Sequence, residues 1–249
     1  MGTRRTRRFW LCWALALAVT AVWTISASPV QTSQPVGGAA HGSYVALTFD
    51  DGPWPGTTNA LLDGLAQRGV KATFFLVGEQ VADRAETVCR MADEGHQIGL
   101  HTWHHVSLKG MTPDQITSQL DQTCAAIREI VGPVDLMLRP PYGFVDDTLR
   151  QWAKAPIICW SLDTEDWKDP TPSRITADIL RQVKDGDIIL MHDIFDTSVT
   201  AALAAVDQLL AQGYRLVTVE ELFAQRGQDP QPGAVYCSLP PAQKEEVEP

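Results

Sequence analysis

The sequence predicts an α/β protein in which parallel strands alternate with outer helices. Short apolar runs of β-prone residues alternate with segments whose apolar residues recur at helical spacing, and this alternation is typical of a parallel sheet. Several of the apolar runs end in titratable side chains, and active sites of α/β barrels gather at the carboxyl ends of their strands. The 249-residue chain, with 45% hydrophobic and 20% charged residues, has the composition of a globular protein.

Residues 1–28 are predicted to be a signal peptide or an N-terminal anchor. Arginines at positions 4, 5, 7 and 8 precede an apolar run from Phe9 to Ile25, and small residues follow it. A run of about 17 residues is long for a signal peptide and short for a membrane span, so cleavage is favoured but an anchor stays open. We therefore expect an exported protein, secreted, periplasmic or envelope-associated, that meets a membrane only through this segment if it is uncleaved.

The composition beyond residue 28 predicts one folded domain between two looser segments. Residues 29–42 are rich in Pro, Gly, Ser and Gln, as flexible linkers are. Residues 43–225 form the predicted catalytic domain, and the Pro-rich residues 226–249 are predicted to be a poorly ordered tail. Within the domain, helices are predicted over 57–69, 85–94, 112–131, 171–185 and 197–212, and strands over 72–77, 97–100 and 215–217.

Two adjacent carboxylates, Asp50 and Asp51, end the first apolar run of the domain. The run from Val45 to Phe49 is β-prone, and Gly-Pro turns the chain directly after the carboxylates. Because neighbouring residues on a strand point to opposite sides, one carboxylate can bind a metal while the other faces a substrate. Taken alone, the motif is also explained by a turn that caps a strand.

His101 and His105 are the second group of candidate site residues. On a helical turn their i, i+4 spacing places both imidazoles on one face, and two histidines with an aspartate suit zinc or a similar divalent ion. Three protein ligands would leave one coordination position open for water. His104, which lies between them, should point elsewhere.

Three further motifs bring polar groups to strand ends or turns. Arg139 precedes a Pro-Pro-Tyr turn, where its guanidinium can hold a carboxylate through two hydrogen bonds. Residues 160–167 end an apolar run in acids and an indole, and residues 188–193 end another in a histidine. Each motif alone has a structural explanation, respectively a proline turn, a capped strand end and a buried histidine.

Together these motifs resemble the polysaccharide deacetylases, carbohydrate esterase family 4, also called the NodB-homology domain. The resemblance covers about residues 42–225, and the motifs Thr-Phe-Asp-Asp-Gly-Pro, His-Thr-x-x-His and Arg-Pro-Pro-Tyr are intact. It implies a distorted, incomplete (β/α) barrel. Leu100 departs from the asparagine often found before the first metal histidine, which removes one hydrogen-bonding group but no ligand.

The resemblance also implies a metal site and a general base. Asp51, His101 and His105 would hold one divalent ion, zinc by preference, with cobalt, nickel or manganese as alternatives. Asp50 would be the base that accepts a proton from the attacking water, and Arg139 would orient Asp50.

The same resemblance implies a general acid and a substrate pocket. His192 would protonate the leaving amine, with Asp166 as its partner. The backbone N–H of Tyr142 would help to bind the oxyanion, while Trp167 and Leu190 would wall the pocket for the acetyl methyl group.

The implied reaction is hydrolysis of N-acetyl groups in a GlcNAc-containing polysaccharide or oligosaccharide, chitin-like or peptidoglycan. One alternative is an O-acetyl esterase of xylan with the same site, and a less favoured one is a non-catalytic wall-binding module. The net charge is −10, and no acidic residue precedes residue 29, so the rest of the chain is more acidic still. Such a surface argues against a nucleic-acid partner and suits a neutral acetylated glycan.

Four cysteines follow residue 28, namely Cys89, Cys124, Cys159 and Cys237. Export to an oxidising compartment makes disulfides plausible, and four cysteines allow three pairings. Cys89 and Cys124 lie on successive predicted helices and are the preferred pair, while Cys237 could tie down the tail.

Overall fold

The structure is a computed structural model that describes residues 42–241. The predicted signal or anchor, the predicted linker except its last residue, and residues 242–249 lie outside this range. Among residues 42–241, no helix is both long enough and apolar enough to span a bilayer. The described residues therefore comprise the whole predicted catalytic domain and the first part of the predicted tail.

Strands and helices alternate along the described residues. The strands are β1 (Tyr44–Asp50), β2 (Thr73–Leu76), β3 (Gln97–Leu100), β4 (Ile157–Ile158), β5 (Leu162–Asp163), β6 (Ile188–His192), β7 (Arg215–Val217) and β8 (Val235–Tyr236). The helices are α1 (Pro55–Arg68), α2 (Gly78–Val81), α3 (Ala85–Asp93), α4 (Pro113–Val131), α5 (Asp147–Trp152), α6 (Pro172–Gln182), α7 (Asp196–Ala211) and α8 (Val219–Arg226).

Strand β1 is the centre of the main sheet. The strand order is β3-β2-β1-β6-β5, and β7 also pairs with β1, at its first three residues. The pairings β1–β2, β1–β6, β1–β7, β2–β3 and β5–β6 are all parallel. Parallel strands end at the same edge of a sheet, so Asp50 on β1 and His192 on β6 are brought side by side, in register.

The pairing continues around an incomplete ring. Single parallel bridges join Leu100 at the end of β3 to Leu138, and Leu138 to Ile157 on β4. Three residues separate β4 from β5, whose pairing with β6 leads back to β1. On one side of the ring, single bridges thus take the place of a full ladder. The predicted α/β class, with parallel strands and outer helices, is confirmed.

Burial on both faces of the sheet explains why β1 has a mostly apolar sequence. Residues 45–50 are all buried, because a parallel sheet is covered on both faces. On one side the apolar faces of α1 and α7 pack together, with Leu61, Leu65 and Val206 fully buried in the main core cluster. On the other side, Phe223 of α8 packs in a second, smaller core cluster.

Most predicted helices and strands are found within a few residues of their predicted bounds. Helix α1 ends at Gly69, whose φ of 64° is the left-handed conformation that favours glycine. Helix α4 begins at Thr112, which exchanges side-chain and backbone hydrogen bonds with Gln115 in a capping box. The short helices α2 and α5 and helix α8 were not predicted, because few residues are available to show a helical period in each.

The prediction of a poorly ordered tail is wrong for residues 226–241. Strand β8 pairs in parallel with β4, and the ring of Tyr236 lies edge-on to that of Phe223 at 4.8 Å. Leu239 is 2% exposed, and its N–H donates to the carbonyl of Gly186 at 2.7 Å. Backbone pairing and a few apolar contacts hold this segment despite its Pro-rich composition.

Candidate active site

A cavity of about 410 Å³ opens at the carboxyl ends of β1 and β6. Its lining comprises Asp50, Asp51, His101, His105, Tyr142, Trp160, Asp163, Trp167, Leu190, His192 and Phe195. Of the residues predicted to form the site, only Arg139 and Asp166 are absent from this lining, and both are buried and hydrogen-bonded to lining residues. The structure therefore brings the whole predicted set together.

Asp50 and Asp51 both face this cavity, although adjacent strand residues were expected to point to opposite sides. Asp50 is the last residue of β1, and its side chain is 5% exposed. Asp51 has left the strand and takes a left-handed backbone conformation, with φ of 73°. The predicted opposition is wrong because this change of backbone direction turns the second carboxylate back toward the first.

Asp51, His101 and His105 form a cluster whose geometry fits a metal ion. The Oδ1 atom of Asp51 lies 3.3 Å from Nε2 of His101 and 3.1 Å from Nε2 of His105. Two ligand atoms that each lie about 2.0–2.1 Å from a shared ion are separated by roughly 2.8–3.4 Å at right-angle to tetrahedral geometry. This same Oδ1 is buried without a hydrogen-bond partner among the described residues, as expected for an atom reserved for a cation.

The ionisation of the cluster also suits metal binding. Burial raises the pKa of Asp51, but His101 and His105 outweigh burial and hold that pKa below its usual value. Burial lowers the pKa of His105 more than the nearby carboxylates raise it, so the neutral imidazole with a free lone pair is favoured. An ionised carboxylate and neutral imidazoles are the forms that bind divalent ions.

A backbone carbonyl selects the tautomer of His101. Its Nδ1 lies 2.8 Å from the carbonyl oxygen of Arg139, which can only accept a hydrogen bond. Nδ1 therefore carries the proton, and in the neutral ring Nε2 keeps its lone pair toward Asp51. This contact comes from the backbone and does not depend on the side chain at position 100.

The i, i+4 spacing predicted that a helical turn places His101 and His105, and this prediction is wrong. The chain from residue 101 to residue 107 is a bent loop, and Thr102 and His105 have φ values of 62° and 52°. Hydrogen bonds from Gly78 N–H to Thr102 O and from Glu79 N–H to Trp103 O hold this loop against α2.

His104 is directed away from the cavity, in agreement with its predicted orientation. Its side chain is 54% exposed, and its Nδ1 lies 2.7 Å from Oε2 of Glu79.

Arg139 connects Asp50 on β1 to the end of β4. Its side chain is fully buried, and Nη1 donates to Oδ1 of Asp50 at 2.9 Å and to Oγ1 of Thr48 at 2.7 Å. Nε and Nη2 donate to the carbonyls of Ile158 and Cys159 at 3.1 and 3.0 Å. The prediction that Arg139 donates two hydrogen bonds to one carboxylate is wrong, because its nitrogens donate to several groups on β1 and at the end of β4.

His192 and Asp166 form a second ion pair beside Asp50. Nδ1 of His192 lies 2.8 Å from Oδ1 of Asp166, and the backbone N–H of His192 donates to Oδ2 at 2.9 Å. Burial lowers the pKa of His192, but the hydrogen bond and charge of Asp166, with the charges of Asp50 and Asp51, raise it to about 9. Burial alone would raise the pKa of Asp166, yet His192 holds it below its usual value. This pKa favours the protonated form of His192 near neutral pH.

The other predicted wall residues frame the mouth of the cavity. Tyr142 is 60% exposed, has φ of 64°, and its ring centroid lies 5.2 Å from that of His105. Trp167 is 58% exposed, whereas Leu190 is 4% exposed and lies deeper. Asp163, which also lines the cavity, accepts a hydrogen bond from the N–H of Glu165 at 2.9 Å and so stabilises the turn after β5.

Two supporting contacts were missed by the sequence analysis. Thr48 accepts a hydrogen bond from Arg139 and donates one to the carbonyl of Ile189 at 2.6 Å. Asp193 is fully buried and accepts a hydrogen bond from Thr58, close enough to Gly52 that any side chain there would collide with its carboxylate. Both residues lie in motifs that were singled out, but only the tertiary contacts show what they support.

Comparison with known proteins agrees with this geometry. A sequence profile of the family described as polysaccharide deacetylase matches residues 37–156. The chain is 42% identical over 178 residues to the peptidoglycan-N-acetylmuramic acid deacetylase PdaC of Bacillus subtilis (strain 168). This alignment covers 72% of the present chain and 38% of that protein, so the chain spans about two fifths of the length of this relative.

Two solved structures share the fold over nearly their whole length. A structure described as T48 deacetylase with substrate has a TM-score of 0.75 and 42% identity, over 78% of this chain and 96% of that one. A family 4 acetyl xylan esterase from Clostridium thermocellum, in complex with a cobalt ion, has a TM-score of 0.76 and 35% identity, over 79% and 99% of the two chains. The described domain is thus similar to both a deacetylase and an esterase.

Proposed function

The chain belongs to the polysaccharide deacetylase family, and from this premise we propose that it is a metal-dependent hydrolase that removes N-acetyl groups from a GlcNAc-containing glycan. The observation that carries the proposal is the pairing of Asp50 with His192 in register, beside the three-residue cluster of Asp51, His101 and His105. A base, an acid and a cation site within one cavity are the groups that amide hydrolysis needs.

We propose that Asp51, His101 and His105 hold one divalent ion, zinc by preference. Two imidazole nitrogens and one carboxylate oxygen suit zinc, and also cobalt, nickel or manganese. When bound, such an ion lowers the pKa of water and polarises the acetyl carbonyl. The relative from Clostridium thermocellum, which was solved with cobalt, supports a divalent ion without deciding which one is native here.

Asp50 is the proposed general base. Its Oδ1 is held by Arg139, while its Oδ2 lies 3.7 Å from Nε2 of His101, on the side of the cation site. One oxygen thus fixes the orientation of the carboxylate, and the other is placed to accept a proton from the attacking water. Arg139 acts through Asp50, as a positioning residue.

His192 is the proposed general acid. An amine leaves poorly unless it is protonated, and the imidazolium of His192 carries the required proton at neutral pH. Asp166 fixes the ring through Nδ1, so that Nε2 is the nitrogen free to face the leaving group.

The wall residues give the pocket its proposed selectivity for a small acyl group. Leu190 and Trp167 supply apolar surface for the acetyl methyl group, and both line the cavity. The left-handed turn at Tyr142 supports a role for its backbone N–H at the oxyanion. The exposed aromatic rings at the mouth suit a sugar, which stacks its apolar face on such rings.

The substrate class follows from the relatives and from charge. The name of the Bacillus subtilis relative specifies peptidoglycan, which supports an acetylated cell-wall glycan and an exported or envelope-associated enzyme. An acidic protein does not attract polyanions, so no nucleic acid is proposed as a partner. An O-acetyl esterase is the second candidate, because the Clostridium thermocellum relative is an acetyl xylan esterase. A non-catalytic wall-binding module is disfavoured by the complete acid, base and ligand set.

Acetate release tests this proposal directly. The purified protein, loaded with zinc or with cobalt, is incubated with chitin oligosaccharides, peptidoglycan and acetylxylan, and free acetate is measured with and without a chelator. We expect release from the N-acetylated substrates, loss of this release with the chelator, and recovery when either ion is added back.

Three outcomes would contradict the proposal. Faster release from acetylxylan than from either N-acetylated polymer would favour the esterase. Undiminished release in a chelated sample whose metal content is confirmed as nil would remove the metal from the mechanism. Glycan binding without any acetate release would support the wall-binding module instead.

A further inference from the structure

Cys159 and Cys237 lie side by side, immediately beyond the paired strands β4 and β8. The register pairs Ile157 with Val235 and Ile158 with Tyr236, so the next pair in sequence is Cys159 with Cys237. The N–H of Cys159 donates to the carbonyl of Tyr236 at 2.8 Å, which shows that the pairing extends to this position.

The spacing of paired strands suits a covalent bond between these cysteines. Neighbouring strands lie about 4.7–4.9 Å apart, and the Cα atoms of disulfide-bonded cysteines are usually about 4.4–6.8 Å apart. The two thiols are also close enough for Cys237 to influence the ionisation of Cys159. The chain after Cys237 is held as well, by a bridge between Ser238 and Asp187.

The two thiols differ in accessibility. Cys159 is buried, and burial first, followed by the proximity of Cys237, raises the pKa of its thiol to about 11. Cys237 is exposed. A reagent from solution therefore reaches Cys237 before it reaches Cys159.

We propose that Cys159 and Cys237 form a disulfide that fastens the C-terminal segment to β4 behind the active site. The oxidant is an external disulfide, either a small molecule or an oxidoreductase. The Cys237 thiolate attacks the external disulfide, forms a mixed disulfide and releases one thiol. The sulfur of Cys159 then loses its proton and attacks Cys237, which forms the Cys159–Cys237 bond and releases the second thiol. Two cysteine thiols are oxidised, and one external disulfide is reduced to two thiols.

This bond would reinforce the part of the backbone that holds Arg139. The carbonyls of Ile158 and Cys159 accept hydrogen bonds from that guanidinium, whose third nitrogen contacts Asp50. The β4–β8 ladder comprises only two residue pairs, so a covalent link adjacent to it adds a constraint that the ladder lacks.

The pair preferred from the sequence alone was Cys89 with Cys124. All four described cysteines are free thiols in the structure, so neither pairing is shown. Cys89 is exposed on α3 and Cys124 is half-buried on α4, and this pair provides the matched control.

Peptide mapping tests the proposal without reference to enzyme activity. The purified, fully reduced chain is incubated with oxidised glutathione, its remaining thiols are blocked, and the digest is analysed by mass spectrometry under non-reducing conditions. We expect one cross-linked peptide that joins Cys159 to Cys237, with Cys89 and Cys124 alkylated. Free thiols at positions 159 and 237, or a Cys89–Cys124 link in their place, would overturn the proposal.

Thermal unfolding supplies a second, independent readout. Oxidised wild type should unfold roughly 5–10 °C higher than the same protein in reductant. C237S should unfold at one temperature with or without reductant, whereas C89S should keep the full difference. A reductant effect that survives in C237S would overturn the proposal, and so would its loss in C89S.

Discussion

Two halves of the site differ in whether their polar atoms already have partners. The braced half consists of Asp50, Arg139, His192 and Asp166. The open half consists of Asp51, His101 and His105. In the braced half the side chains bond to one another and to neighbouring strands, whereas in the open half the buried Oδ1 of Asp51 has no hydrogen-bond partner among the described residues.

The backbone differs between the halves in the same way. Asp50 and His192 lie on regular strands of one ladder, while Asp51 and His105 have positive φ values, which cost energy in residues with a side chain. A side chain fixed by protein partners is suited to moving a proton, and one left without partners keeps its lone pairs for a cation. Removing one residue at a time from each half should therefore produce different losses.

The largest effect is expected from breaking the open half with His105→Ala. Loss of one of three ligands should release the ion and abolish nearly all acetate release, while the fold remains because His105 is not a core residue. Metal content and the thermal midpoint, measured on the same sample, check this expectation.

His104→Ala is the matched control for that substitution. His104 lies one residue away and pairs with Glu79 outside the cavity, so its variant should keep both the metal and the activity. Equal metal loss in the two variants would mean that the loop as a whole, and not the His105 ligand, had been disrupted.

Asp50→Asn should cause the next largest loss, through the braced half. The amide keeps the shape and can still accept a bond from Arg139, but it cannot serve as a base. Turnover should fall by a factor on the order of 10² to 10⁴ while the metal content stays near that of wild type. If the metal leaves with Asp50 and stays after Asp51→Asn, the assignment of the two carboxylates is reversed.

His192→Ala should have an effect that depends on the leaving group. Hydrolysis of N-acetylglucosamine oligomers should fall by a factor of roughly 10² to 10⁴, because the amine then departs without its proton. Hydrolysis of an aryl acetate should fall much less, since a phenolate leaves largely unaided. Equal losses on both substrates would indicate that His192 only maintains the pocket.

The smallest expected effect is a shift in pH dependence from Asp166→Asn. The acid must be protonated to act, and His192 has its pKa raised to about 9, so activity in wild type should decline only as the pH approaches that value. Without the charge of Asp166, burial lowers the pKa of His192, and the alkaline limb of kcat should move to lower pH. If the alkaline limb of kcat does not move in this variant, measured with the metal site saturated, the limb reports a group other than His192.

The sequence predicted the braced half better than the open half. Asp50 and His192 end apolar runs, and strand ends of a parallel sheet meet at one edge, so the sequence predicts that both lie at that edge. The direction of Asp51 does not follow, because nothing in the local sequence marks a left-handed aspartate. The i, i+4 spacing of His101 and His105 correctly predicted that they meet but not that a bent loop brings them together.

The sequence also could not predict which strands that lie far apart in the chain pair with each other. The two-residue strand β8 has no periodicity to detect, and its partner β4 lies more than seventy residues earlier in the chain. Cys159 and Cys237 become neighbours only through this pairing, so a preference based on successive helices selected another pair. Arg139 was predicted to hold a carboxylate, but its remaining donors satisfy carbonyls that only the folded chain brings near.

The in-register pairing of Asp50 with His192 has a consequence for engineering. Neighbouring strands are about 4.8 Å apart, so the distance between the proposed base and the proposed acid is set by the backbone ladder and not by the surrounding loops. The loop that carries Tyr142 and the turn that carries Trp167 can then be exchanged for segments of other length or composition while the acid and base keep their spacing. Grafting these rim segments from relatives that act on different polymers is therefore a modular route to altered substrate choice.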